Sequence, residues 1–290
     1  PLVSVDASDF LTVISQSDEN ESEKSAAIVV PTREFVLAWR ACLEKSARGQ
    51  ADDLSYESAF PTITQVCDML QIAIKKDWFV SRHLLSIAML LDYSDEAGRR
   101  TFNQFLRETL SKRQTKRSLV QPVINAMCTA AEGPRELFQD VAEIISELRD
   151  PLDTADSQMM VIPTKDELQT TLSHAEARLR PEVGIARLRF KAEQEAIKLE
   201  MSMTQEEWMN HDLAIRCLII TECALKRSSG GPQQMIRGDA ALDGLLREVV
   251  LVAIKSKYPD ERLNGVSCLG LACMTDRDMV NNQFFLFNQI

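Results

Sequence analysis

Apolar residues return along this chain at helical spacing, and nowhere do they alternate in the way a half-buried strand requires. The clearest face lies near the end. Leu242, Leu245, Leu246, Val249, Val250, Ala253 and Ile254 fall at i, i+3, i+4, i+7, i+8, i+11 and i+12, which predicts one apolar side of a helix. Tyr258-Pro259-Asp260 breaks it, because the residue before a proline is driven out of the α region. Asp260 is placed to cap a second helix, striped by Leu263, Val266, Leu269 and Cys273. Gly265 and Gly270 within it are poor helix formers, tolerated where two backbones pack closely. After Thr275-Asp276 another apolar run begins, Met279 to Phe287. Helix, tight turn, helix and the onset of a third make the unit of an α-solenoid.

The same rhythm runs upstream. Phe10 to Ile14 is a short apolar segment, and residues 15–25 are polar, acidic and expected to be disordered. Thr32 reads as the cap of a helix striped by Phe35, Ala38, Trp39, Cys42 and Leu43. Beyond a polar loop at 49–55 come Ile63, Val66, Cys67, Leu70 and Ile74, then Leu84, Ile87, Ala88 and Leu91. Phe102, Phe105, Leu106 and Leu110 follow, and past a basic turn Val120, Val123, Ile124 and Met127. Pro134 sits at a first helical position, and Leu137, Val141, Ile144 and Leu148 carry that helix to Arg149-Asp150-Pro151. Lys165 to Leu199 differs. It is strongly charged with a thin apolar stripe, and predicts one or two exposed helices, broken at Pro181, that project from the stack. Leu213, Cys217, Ile220 and Ala224 restore a buried helix, and 226–234 reads as a loop.

Composition narrows the function classes. The 290 residues are 45% hydrophobic and 26% charged, as a folded globular protein is, and only 6% aromatic, with too few Gly and Pro for many tight β turns. No apolar run reaches the length of a membrane helix, and the N-terminus has no signal-peptide pattern. Pro1 in place of a starting Met, and an end at Asn288-Gln289-Ile290 inside a repeat, lead us to expect a piece of a longer chain. The seven cysteines form no CxxC and the three histidines are scattered, so buried free thiols in a reducing compartment are expected, with no metal and no cofactor. A formal net charge of -10 argues against a generally basic nucleic-acid binder.

Several segments carry a family likeness. Residues 259–270, P-D-E-R-L-x-x-V-x-x-L-G, resemble the second helix of a HEAT repeat, in which the early arginine, here Arg262, pairs with acidic groups along the stack. TREFVLAWRACLEK (32–45), LLDYSDEAGRRTFNQFLRETL (90–110), DVAEIISELRDP (140–151) and the repeat at 246–280 resemble, in this order, the HEAT-repeat subunit 3 family of condensin (chromosome-associated protein G and its fungal counterparts). The match covers most of residues 29–290, with a charged helical insertion shorter than the family's. It implies an all-α solenoid of HEAT-type repeats. The expected layout is a partly disordered acidic segment at 1–30, HEAT-type repeats at 31–150, a charged insertion at 151–205 and a truncated run of repeats at 206–290. It also implies a non-catalytic subunit that binds the kleisin subunit of condensin and, with it, double-stranded DNA. ATP hydrolysis then belongs to the condensin ATPase subunits, which it meets indirectly. The expected location is nucleus and chromosomes, and also cytoplasm, with no membrane contact.

Holding DNA without reading bases requires Lys and Arg facing phosphates. Lys112, Arg113, Lys116 and Arg117 place four positive charges in six residues around a helix–helix turn, and Arg99 and Arg100 lie one helix earlier. The competing reading is a solvated turn whose charges complement a helix C-terminus. Lys75-Lys76 and Lys226-Arg227 are weaker candidates. Enzyme motifs are missing: no G-x-x-x-x-G-K-[ST], no G-x-S-x-G, no H-E-x-x-H. His83 and His211 read as surface or satisfied core residues, Glu206-Glu207 as a helix start, and Trp39, Trp78 and Trp208 as core. Two functions remain open: a DNA-binding architectural subunit acting with a kleisin, or a HEAT-type scaffold or transport adaptor that touches no DNA.

Overall fold

A computed structural model of the chain describes residues 30–48, 60–150, 162–179, 185–229 and 239–275. The expectations for 1–29, for the loop at 49–55, for the break at Pro181 and for Met279 to Phe287 lie outside the described residues. Helices joined by turns account for the rest, and no strand occurs among the described residues. The all-α class read from the sequence holds.

Several helices begin where side chains satisfy their first N–H groups. Thr32 accepts from the Phe35 amide. Thr62 and Gln65 exchange side-chain and backbone bonds in a capping box, as do Thr164 with Glu167 and Thr204 with Glu207. Each such cap contributes about 1 kcal/mol. The Glu206-Glu207 pair is thus a helix start, as read.

The chain divides into two compact units, residues 1–102 and 103–290. The first holds α1 (Arg33–Ala47), α2 (Ile63–Lys76), α3 (Trp78–Ala88) and the beginning of α4 (Glu96–Ser111). Ile63, Val66, Cys67 and Leu70 of α2 and Leu84, Ile87 and Ala88 of α3 are buried as predicted. In α1 the face is rotated: Val36 and Leu43 are buried and Cys42 is exposed. Contacts with α3 set that rotation, Arg33 Nε to Asp77 at 2.8 Å and Arg40 Nη1 to His83 Nδ1 at 3.3 Å. Trp78 is 46% exposed, against its reading as core. Gly98 explains part of the motif around it. A Cβ there would lie 2.8 Å from Ile63 Cγ2 and 3.0 Å from Thr64 Oγ1, so α4 starts hard against the first turn of α2.

The second unit is organised around a long helix, α9 (Gln205–Ser229), which packs against α5 (Arg117–Ala130), α6 (Pro134–Arg149) and α12 (Pro259–Thr275). Residues 226–229, expected in a loop, continue α9 instead. The charged segment forms α7 (Lys165–Leu179) and α8 (Ile185–Glu200), which pair around Leu168, Leu172, Ala175 and Ile197. The end of α8 is not free of the body, since α8 touches α12 and Glu200 is buried.

α10 (Ala240–Leu245) runs through one π turn, Leu246–Val250, into α11 (Leu251–Ile254). All seven predicted apolar positions are buried, at about 1.5–3 kcal/mol for each large aliphatic side chain. The π turn leaves no mark in the hydrophobic pattern. α12 departs from expectation. Leu263 is 51% exposed, and the inward face is Gly265, Cys268, Leu269 and Ala272. Small residues face inward because the backbones approach closely: a Cβ on Gly265 would sit 3.0 Å from the Ile254 nitrogen, whereas Gly270 has nothing within 4 Å.

Candidate functional site

The basic turn joins α4 to α5, and its four cations divide into two kinds. Lys112 and Lys116 are exposed. Arg113 is turned back onto the end of α6, with Nε donating to Leu148 O at 2.6 Å and Nη2 to Asp150 O at 2.8 Å. It thereby closes carbonyls left open by the last turn of that helix, and burial pulls its pKa below the usual guanidinium value. Arg117 reaches inward, with Nη2 at 2.8 and 2.9 Å from the two Glu200 oxygens and Nε 3.5 Å from Asp212. The turn is held further by Thr115, whose hydroxyl donates to Thr109 O at 2.6 Å and whose carbonyl accepts from Arg216. In the other unit Arg100 pairs with Glu96 one turn earlier, and Arg99 is half-buried. Lys75 and Lys76 are exposed at the end of α2, and Lys226 pairs with Glu222 at 2.8 Å.

Arg262 behaves as Arg113 does. The family likeness implies an acidic partner. In the structure its Nη1 donates to Ser256 O at 2.8 Å and Lys257 O at 3.0 Å, just past the end of α11.

Arg117 leads into a cluster that the sequence did not announce. Asp260, expected as a helix cap, lies inside the first turn of α12 and turns toward His211 instead. His211 is 1% exposed, with Nδ1 2.6 Å from Glu261 Oε1 and Nε2 3.0 Å from Asp260 Oδ2 and 3.7 Å from Glu200 Oε1. The Nδ1 contact is a hydrogen bond; the Nε2 approaches are ion-pair distances without an aligned N–H bond. Asp212 is held by Arg216 at 2.5 Å. Burial opposes a charge on His211, but Asp260, Glu200 and Glu261 outweigh it and push its pKa up to about 11. Burial likewise opposes ionisation of Glu200 and Asp260, yet His211, joined at Glu200 by Arg117, holds both below the usual carboxylate range. His211 is therefore a core histidine enclosed by carboxylates, with a hydrogen bond at Nδ1 and none at Nε2. The visible signal was only a His-Asp pair, His211-Asp212, just ahead of the apolar stripe of α9, and an acid pair after Pro259.

His83 is half-buried against the Phe79 ring at 4.5 Å, and burial with Arg40 and Arg82 lowers its pKa. Burial pushes the thiols up, to about 12 at Cys128 and about 11 at Cys217 and Cys223. Thiols so shifted are poor nucleophiles and poor ligands at neutral pH. A cavity of about 160 Å³ is lined by Cys217, Leu218, Val249 and Ala253, with Arg149 and Glu248 also on its wall.

Residues 216–290 match the family model described as nuclear condensing complex subunits, C-term domain. The chain is 25% identical to condensin complex subunit 3 of Xenopus laevis and 23% identical to that of Homo sapiens, each alignment covering 93% of this chain. It spans 30% of the length of these curated relatives. In fold it is similar to a chain in the crystal structure of the S. pombe condensin Cnd3-Cnd2 subcomplex, with a TM-score of 0.55 and 17% identity over 97% of this chain and 30% of that one. That likeness bears on fold alone, and it agrees with an all-α helical-repeat solenoid.

Proposed function

We propose, from its similarity to condensin complex subunit 3, that the chain acts as a non-catalytic HEAT-repeat subunit of condensin, binding the kleisin and, with it, double-stranded DNA to support mitotic chromosome condensation. The observation that carries this reading is a subunit 3 likeness running over 93% of the chain rather than over one repeat. A solved relative in complex with a second condensin subunit supports a protein partner for this fold. ATP hydrolysis falls to the ATPase subunits, and the site of action is the chromosome in the nucleus, with a cytoplasmic pool.

For DNA, the reading narrows to the turn between α4 and α5. Arg113 and Arg117 fix its backbone through internal bonds, while Lys112 and Lys116 remain exposed. Two fixed guanidiniums and two exposed ammonium groups suit contact with phosphates rather than bases.

The test is DNA binding by the chain at two salt concentrations, alone and with a kleisin segment from the same organism. Lys112→Glu/Lys116→Glu is compared with wild type. Two lost phosphate contacts lower the slope of log affinity against log salt by about 2. If the kleisin segment binds and the double variant holds DNA as wild type does, the turn is only solvated surface. The scaffold reading is favoured by the net charge of -10 and by two inward guanidiniums. Tight kleisin binding with no DNA binding at any salt supports it.

A further inference from the structure

We propose that Glu200, His211 and Asp260 form a binding site for one divalent transition-metal ion of the zinc type, clamping the end of α8, the first turns of α9 and the start of α12. One donor atom from each of the three residues lies within 4.8 Å of the others. In a tetrahedral site with bonds of about 2.0–2.1 Å, donors stand roughly 3.3 Å apart. The distances from His211 Nε2, 3.0 Å to Asp260 Oδ2 and 3.7 Å to Glu200 Oε1, straddle that value.

Orientation favours the same answer. The Nδ1 contact to Glu261 places a proton on that nitrogen and turns the Nε2 lone pair to the carboxylates. A carboxylate behind a histidine in this way is the usual outer support of a metal-bound imidazole. Nε2 is buried and has no aligned hydrogen-bond partner, so a cation between it and the two carboxylates relieves a repulsive arrangement. Asp260 Oδ1 is likewise buried without a hydrogen-bond partner. Arg117 Nη2 holds both oxygens of Glu200, at 2.8 and 2.9 Å, and so fixes the orientation of the carboxylate, Oε1 included.

Charge decides between a metal and a proton. The contacts link four carboxylates, those of Glu200, Asp212, Asp260 and Glu261, to two guanidiniums, those of Arg117 and Arg216. A protonated imidazole leaves one negative charge uncompensated in a buried place, whereas a divalent ion on a neutral imidazole balances the cluster. An imidazole nitrogen with carboxylate oxygens suits zinc and its neighbours rather than magnesium or calcium, which take all-oxygen sets. The three ligands stand far apart in sequence, which is why spacing suggested no metal.

The test uses the chain stripped with a chelator and titrated with zinc by calorimetry, and with cobalt(II) by absorption. Wild type takes up one zinc per chain, its thermal midpoint rises, and Glu200→Gln and Asp260→Asn each bind at least 10-fold more weakly. Cobalt gives ligand-field bands without sulfur-to-cobalt charge transfer. No uptake by wild type, undiminished uptake by both variants, or a charge-transfer band from the thiols overturns the site. If circular dichroism shows that a variant has not folded, stoichiometry and spectrum of wild type decide alone.

Discussion

His211 is the residue whose environment differs most from that of a free side chain. In chelator, with no metal competing, it carries a proton at neutral pH because three carboxylates surround it. Its pKa rises from 6.5 unfolded to about 11 folded, so the stabilisation is fully present below about pH 6.5 and is lost as pH climbs toward 11. Glu200 and Asp260 act in the other direction, since their depressed values give stability that disappears as pH falls below the ordinary carboxylate range. Metal-free protein should therefore be most stable near pH 5–6. Between pH 7 and 9 its unfolding free energy should fall by up to about 1.4 kcal/mol per unit, the limit for one proton. His211→Gln should be less stable at pH 6 and should lack this slope. Urea midpoints of both proteins in chelator at pH 6, 7, 8 and 9 check it, and parallel slopes would exclude His211 as the source.

At the scale of the element, α12 holds two glycines with opposite roles. Gly265→Ala places a methyl 3.0 Å from a backbone nitrogen of α11 and 3.1 Å from Ile254 Cγ1. Backbone does not yield as a side-chain tip does, so we expect destabilisation of about 1–3 kcal/mol. Gly270→Ala meets nothing within 4 Å and should stabilise by about 0.4–1 kcal/mol through helix propensity and the unfolded chain. Thermal melts of the two single variants should shift in opposite directions; equal signs would refute the close α11–α12 approach. The same helix marks what was legible in the sequence. α10–α11 was readable because large aliphatic side chains mark the buried face. α12 matches its reading only in part: Leu269 is buried and Gly265 packs closely as expected, but Cys268 and Ala272 face inward while Leu263 faces out, because hydrophobic periodicity favours the larger residues. Val36 in α1 was passed over for a related reason, with the ring pair Phe35 and Trp39 half-buried beside it. The His211 cluster was not legible beyond its two isolated residue pairs, because α8, α9 and α12 converge only through packing.

Across the whole molecule, 43 acidic residues outnumber 33 Lys and Arg, so the cations that matter for a polyanion are those not already committed inside the fold. The basic turn contains both kinds, and stability and DNA binding should separate them. Arg117→Ala leaves Glu200, 6% exposed, and Asp212, 1% exposed, short of a cation. Removing one partner of a buried pair costs about 3–5 kcal/mol. The lower end applies, because His211 still faces Glu200 and Arg216 still holds Asp212. Lys112→Ala and Lys116→Ala alter exposed side chains and should change stability by no more than about 0.5 kcal/mol. If the turn lies on the DNA path, the lysine variants lower the salt slope with an unchanged unfolding midpoint, while Arg117→Ala lowers the midpoint first. Measured side by side, urea unfolding and salt-dependent DNA binding distinguish a turn that contacts DNA from a turn that only joins two helices. A lysine variant that unfolds early, or an Arg117 variant with wild-type stability, would contradict this division, because the two guanidiniums and two ammonium groups would then not be doing separate jobs.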